Sequence, residues 1–523
     1  MPVHSKNIHT ILLWIIVLSG LLRAIAAGLL ELSVDEVYYW LYAVYPDWSH
    51  FDHPSMVGWV IQLFSLNLLL ESEFFIRLGS VVFAAINTWI IFKIGTKIKN
   101  PLTGLYAAFL YNTSIYASVL AGVFIIPDSP LLLFWFLGIW FLINSLTTKQ
   151  INKTNRLNMI AAGVAIGLAG LSKYHGAFIG IGVLLYVLIY DRRWLKEPTL
   201  WIAGFLAILM ITPIIYWNYQ HDFISFGFHT NRIAPALSLR LDYFFTEVGG
   251  QFAYNNPFNY VIIVSALVAW FRGKKYIKSP YFRLLLLNGL PLWLVFTSFS
   301  LFRSTLPHWT GPAFIPMILI GAAWLSDALP GKYGNEKKLL FPPRIKAPVY
   351  LIASLLILAI YVINYLPTGL GTKKDLYTWG ENDFTQDMYG WNQVGEQFLK
   401  IYSEDTAHNI MPPGAPLITF RYFPAAHFDY YFAYHANIPV FVFGSVERSH
   451  EYYWINKMRG PIKKGQDVYY LAVSNWYKDP EKEFGMLFDK IEVPDIFEIK
   501  RSGAVMRYGL VYRMRGFKGD FPE

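Results

Sequence analysis

Residues 56–70 read MVGWVIQLFSLNLLL, and whether this apolar run crosses a bilayer fixes the side on which every later residue lies. Counted as a span, it would carry Lys93, Lys97 and Lys99 to the outer side and invert each following loop. Counted as an interfacial or re-entrant helix within the first outer loop, it leaves five basic clusters together: Lys93 to Lys99; Lys149, Lys153 and Arg156; Arg192, Arg193 and Lys196; Arg272, Lys274, Lys275 and Lys278; and Lys332 through Lys346. Cytoplasmic loops carry such an excess of Lys and Arg, which selects the second reading. Outside this run, eleven apolar segments approach the roughly 20 residues needed to cross: 8–30, 74–92, 101–122, 129–146, 157–172, 176–190, 199–217, 257–271, 282–301, 310–329 and 348–366. The pair 157–172 and 176–190 is short enough to be one broken hairpin, and either version leaves Lys173 outside.

The composition agrees with a membrane protein. The 523 residues are 55% hydrophobic and 15% charged, against roughly 25% charged in soluble domains, and the mean hydropathy is +0.36. A soluble globule is excluded. From residue 367 onward there are 18 basic and 20 acidic residues, which leaves 26 basic and 15 acidic before it. The basic excess therefore belongs to loops between apolar runs, and nucleic acid is not an expected partner. Without cysteine there is no disulfide, thiolate metal site or cysteine nucleophile. Residues 11–22 follow Lys6 as in a signal peptide, yet Arg23 and Glu31 stand where a small-residue cleavage site belongs, so the segment reads as an uncleaved span with a cytoplasmic N-terminus.

After residue 366 the pattern changes. Strands are predicted at 415–421, 439–444, 467–474 and 505–513, with helices at 389–403 and 423–435, a layered α/β arrangement. The expected architecture is a polytopic α-helical membrane domain, 1–366, whose outer loop 31–73 carries an acidic motif, and an extracytoplasmic α/β domain, 367–523. The expected location is the inner (plasma) membrane.

Four stretches carry chemistry. In ELSVDEVYYWLYAVYPDWSHFDHPSMVGW (31–59), Asp35 and Glu36 follow an apolar span, and carboxylates at a membrane border are costly unless solvated or paired. Helix neighbours point about 100° apart, so one acid can face a cavity while the other holds the loop. In FIIPDSPLLLFW (124–135), prolines fix Asp128 at a helix end, where an N-cap is the structural alternative. LSKYHGAF (171–178) places Lys173, Tyr174 and His175 on the side that disfavours cations; an anionic partner is required there, either a lipid phosphate or a carboxylate of the protein. SLFRSTLPHWTGPAF (300–314) repeats the pattern with Arg303 and adds His308. The loop 218–247 holds His221, Asp222, His229, Arg232 and Asp242, which could bind a metal or a sugar, although their spacing fits no metal motif.

In order, the DE pair, HFDHPSM, PDSPLLLFW, SKYHGAF and RSTLPHWTGPAF, with MYGWNQVGEQF and YYFAYHANIPV further on, resemble bacterial relatives of the dolichyl-phosphate-mannose-protein mannosyltransferases. These are family 39-type enzymes of the glycosyltransferase C superfamily, related to the aminoarabinose transferases. The resemblance implies inverting transfer of a sugar from a polyprenyl-phosphate carrier to a lipid, glycan or protein acceptor at the outer membrane face. It implies Asp35 as catalytic base with Glu36 beside it, and Asp128 as a second-loop acid. Substrate-binding expectations fall on Asp52, His53, Asp128, Tyr174, His175 and His308. Lys173, Arg303 and Arg232 are expected on the carrier phosphate. No cofactor or metal is expected, because the leaving group is a lipid monophosphate rather than a nucleotide diphosphate, which makes a divalent ion less necessary. These groups are expected to converge on one lipid-accessible chamber. The alternative is a transporter or flippase for a lipid-linked or anionic substrate, which would place ionisable residues near the midplane, often within inverted repeats; the sequence shows neither.

Overall fold

The computed structural model describes residues 5–233, 238–329 and 340–519. Lys332, Lys337 and Lys338 of the fifth basic cluster lie outside the described residues. In chain order the principal helices are α1 (Ser5–Leu29), α2 (Val34–Val44), α3 (Met56–Phe64), α4 (Glu73–Ile98), α5 (Pro101–Thr113), α6 (Asp128–Leu146), α7 (Lys153–Ser172), α8 (Ala177–Tyr190), α9 (Pro198–Gln220), α10 (Ile224–Ile233), α11 (Leu241–Tyr254), α12 (Pro257–Phe271), α13 (Ser279–Leu287), α14 (Leu290–Phe299), α15 (Gly311–Ala328), α16 (Pro343–Asn364), α17 (Trp391–Ala407) and α18 (Tyr422–Phe428).

Each of the eleven expected spans falls on helix. Among the described residues, seven segments are long and apolar enough to cross a membrane: Asn7–Leu29, Glu73–Ile98, Asp128–Leu146, Pro198–Gln220, Ser279–Phe299, Pro307–Ala328 and Pro343–Asn364. Tyr174–Tyr190 and Pro257–Phe271 are apolar but shorter. The segment 101–122 is α5 followed by a π-helical turn, Tyr116–Leu120. The deciding run at 56–70 forms only the nine residues of α3, about 14 Å of rise, too short to cross. It stops because Leu66, Asn67 and Leu68 take positive φ of 53°, 56° and 63°, a backbone that cannot continue a right-handed helix.

The chain forms two compact units. The first comprises 1–27 and 47–356. Among the seven long apolar segments, Pro307–Ala328, which contains α15, is the most buried, and those of α1, α9 and α16 are the most exposed. Small residues let α7 approach α9: a Cβ on Gly163 would lie 2.3 Å from the Ala203 carbonyl oxygen, and one on Gly167 2.6 Å from Met210 Cβ. Membrane helices associate through such stripes because lipid supplies no hydrophobic drive between them.

The second unit comprises 28–46 and 357–523. Residues 28–46 join it because α2 is aromatic on several faces: Tyr38 meets Tyr422 at 5.0 Å and Trp40 meets Tyr430 at 5.3 Å, ring centre to ring centre. The sheet of this unit runs β2 (Val440–Val442), β1 (Leu417–Thr419), β3 (Val468–Val473), β6 (Ala504–Phe517), β4 (Phe488–Ile491), with β5 (Asp495–Arg501) also on β6. Strands β1, β2 and β3 are parallel, while β6 is antiparallel to β3, β4 and β5. The four predicted strands are present. β4 and β5 fall outside the expected strands, since β4 leaves half and β5 most of its side chains exposed and neither gives much apolar alternation; for β5 the Ser502–Gly503 turn, with both residues at positive φ, is a cue of the kind tight hairpins require.

Candidate functional site

In the first unit the centre is a buried ion pair. Asp128 is the first residue of α6, and its carboxylate does not cap that helix. Instead Oδ1 accepts the Tyr116 hydroxyl at 2.7 Å and Oδ2 accepts Lys173 Nζ at 2.7 Å. Asp128 is 2% exposed and Lys173 4%. Lys173 ends α7 with extended backbone (φ −158°, ψ 142°), which turns its side chain out of the helical line. The next turn, Tyr174–Gly176, folds so tightly that a Cβ on Gly176 would sit 2.3 Å from the Ala169 carbonyl carbon. Of the two anionic partners open to Lys173, the structure therefore holds the carboxylate.

Around this pair the folding of HFDHPSM gathers histidines. His50 N–H donates to the His53 carbonyl at 3.2 Å, and Ser49 bridges Pro54. The loop is pinned by Trp217 Nε1 on Asp47 Oδ2 at 2.8 Å and by Ser55 Oγ on the Asp47 carbonyl at 2.6 Å. His229 Nε2 donates to the Asp52 carbonyl at 2.8 Å. His53 lies within electrostatic reach of Asp128, Lys173 and His229, and His308 within reach of Asp128, Lys173 and Arg232. Burial pushes the His53 imidazole down to about 3 and lowers His229, so both are neutral at ordinary pH. His175 stacks on Phe296 at 4.9 Å, and its buried Nε2 has no hydrogen-bond partner among the described residues. Arg232 lies over the Trp309 ring at 4.9 Å. Arg303 is exposed on the segment after α14.

The second unit holds the DE motif, and the structure separates its two acids. Glu36, fully buried, accepts the Ser33 N–H at 3.0 Å and the Ser33 hydroxyl at 2.9 Å, closing the start of α2. Glu36 is thereby engaged in holding the helix start. Asp35 is exposed. Glu36→Ala is expected to destabilise the second unit by about 1–3 kcal/mol by leaving the buried Ser33 groups unsatisfied; an unchanged unfolding midpoint would contradict the cap.

Tyr116 and Asp387 escaped the sequence reading. Tyr116 lies in the π-helical turn, a distortion frequent at functional sites that leaves no mark in the apolar pattern. Asp387 immediately precedes the MYGWNQVGEQF motif, and its Oδ1 accepts the N–H of Val34 at 3.1 Å. Among the described residues no group of three or more His, Asp or Glu side chains is arranged to hold a metal ion.

This arrangement defines a polytopic helical membrane protein with a C-terminal sheet domain. The profile of the dolichyl-phosphate-mannose-protein mannosyltransferase family matches residues 52–217, the stretch that holds Asp52, His53, Asp128, Lys173, Tyr174 and His175. The lipid A galacturonosyltransferase RgtD of Rhizobium johnstonii is 24% identical over 297 residues, 56% of this chain and 60% of that protein. The chain thus spans about 60% of the length of this curated relative. ArnT from Cupriavidus metallidurans, solved bound to undecaprenyl phosphate, superposes with a TM-score of 0.63 at 15% identity, covering 95% of this chain and 97% of that one. Its apo structure gives 0.63 at 14% identity over the same shares.

Proposed function

We propose that the protein is a glycosyltransferase that moves a sugar from a polyprenyl-phosphate carrier to a lipid, glycan or protein acceptor at the outer face of the inner membrane, inverting the anomeric carbon. The observation that carries this reading is the buried Asp128–Lys173 pair in the stretch matched by the mannosyltransferase profile. A lysine held by a carboxylate among neutral imidazoles is a cation ready to be shared with an entering phosphate, with Arg232 and Arg303 as further cations.

The bond between the anomeric carbon and the phosphate oxygen breaks as the acceptor oxygen forms the new one. Asp35 accepts the acceptor's proton, since a hydroxyl is a weak nucleophile until a carboxylate in reach takes its hydrogen. The carrier leaves as a phosphate monoester whose added charge is met by Lys173. With protein cations in that role, chelation of divalent ions by EDTA is expected to leave turnover within about twofold; a loss restored only by added Mg²⁺ or Mn²⁺ would contradict this assignment.

Proteoliposomes supplied with labelled undecaprenyl-phosphate sugars and lipid A test the reading. Label on the acceptor together with free undecaprenyl phosphate supports it. Label that crosses the bilayer without a new glycosidic bond supports a transporter instead.

A further inference from the structure

We propose that Asp387 is a positioning residue for Asp35: its carboxyl holds the first turn of α2 from beneath and couples its own charge to the acid one residue further along. This rests on the reading of Asp35 as base. The second unit ties the segment leading into α2 down residue by residue. Glu31 accepts the N–H groups of Trp391 and Asn392 at 2.7 and 3.2 Å, at the N-terminus of α17, where an anion is favoured. Leu32 N–H donates to the Tyr431 hydroxyl at 2.7 Å, and Val34 N–H donates to Asp387 Oδ1. At the far end of α2, Arg459 Nη2 donates to the Tyr45 hydroxyl at 3.0 Å and also pairs with Asp429. Of these anchors, Asp387 is the charged one bonded next to Asp35 in sequence.

Asp387 is itself fixed by its own segment. Trp391 Nε1 donates to its carbonyl at 2.9 Å, and Arg507 donates to the carbonyls of Gln386 and Tyr389 at 3.3 and 2.9 Å on either side of it. The groups facing it are Asp35 and Glu36 from α2, Arg507 from β6 and His427 from α18. Arg507 is occupied with carbonyls and lies over the Trp391 ring at 4.1 Å, and burial holds His427 neutral, down to about 3. Burial, with Asp35 and Glu36 adding to it, pushes the Asp387 carboxyl up to about 7. Its charge therefore appears in the range where the enzyme would work. Once ionised, Asp387 places a second negative charge beside Asp35, which favours proton uptake by that acid. The native state also holds a proton that the unfolded chain releases, so this contribution to stability is full below the ordinary 3.8 and is lost as pH rises through about 7.

The test compares Asp387→Asn and Asp387→Ala with the parent in the full-length protein. Asn keeps a neutral acceptor for the Val34 N–H, and Ala removes it. Expected are a kcat about 10- to 100-fold lower for Asp387→Ala, rescue of most of that loss by Asp387→Asn, little change in donor KM, an inflection near pH 7 in the parent's kcat, and its loss from the Asn variant. The decline of the unfolding midpoint between about pH 4 and 7 is also expected to flatten in Asp387→Asn. Equal damage from both variants with an unchanged pH profile would overturn the proposal, as would an Ala variant with parental kcat. If Asp35→Asn keeps full activity, it is the base assignment that fails, whatever the Asp387 variants do.

Discussion

Asp35→Asn is expected to lower kcat by about 10²- to 10⁴-fold, the range supplied by a positioned general base, with donor binding and the unfolding midpoint close to the parent's. The separation follows from how the DE pair divides its work. Glu36, which takes both Ser33 groups, keeps α2 closed, while Asp35 sits exposed at its first turn. The change from carboxylate to amide preserves size and leaves the cap alone. The measurement is kcat and KM for the undecaprenyl-phosphate sugar, with thermal unfolding of the same preparation. A variant that binds donor and turns over like the parent removes Asp35 from the chemistry; one that loses activity together with its fold shows that the acid is structural.

Lys173→Met is expected to destabilise the first unit by about 3–5 kcal/mol, the cost of leaving one member of a buried ion pair without its partner. Both side chains are almost wholly enclosed, so water cannot replace the lost charge for Asp128; the Tyr116 hydrogen bond remains on that carboxylate, without a cation bonded to it. The double variant Lys173→Met/Asp128→Asn is expected to recover part of that loss, because no uncompensated charge remains. The single and double variants together form a cycle that isolates the pair's coupling. Glycosyl transfer is expected to stay abolished in both, since the cation assigned to the phosphate is absent. Recovery of stability without recovery of activity separates the structural role from the chemical one. A single variant as stable as the parent would mean that solvent reaches the pair.

The parts that sequence could reveal are those written in local patterns. Apolar runs located the long helices of the first unit, and the failure of 56–70 to fit the alternation of basic loops set it apart from them, in keeping with the short helix α3. Short apolar runs rich in branched and aromatic residues at 415–421, 439–444 and 467–474 were sufficient for the fully buried core strands, whereas β5 buries little and left almost no pattern. For the candidate site, the residue types were visible but not their partners. Lys173 announced a need for an anion; that Asp128, 45 residues earlier, supplies it depends on how α6 and α7 pack. The capping role of Glu36 was open from the DE spacing, and only its bonds to Ser33 decided which acid is held. Asp387 was beyond reach, because its link to Val34 spans 353 residues and a lone acid before a glycine-tryptophan turn carries no periodic signal.

The account is tested most directly by the stereochemistry of the transferred sugar. The purified protein, given an undecaprenyl-phosphate sugar labelled at the anomeric carbon and a lipid A acceptor, is followed by NMR of the new glycosidic bond. Inverted anomeric configuration, with one undecaprenyl phosphate released per bond formed, is the predicted result. Retained configuration, or release of the carrier without any sugar reaching an acceptor, would contradict single displacement with Asp35 as base.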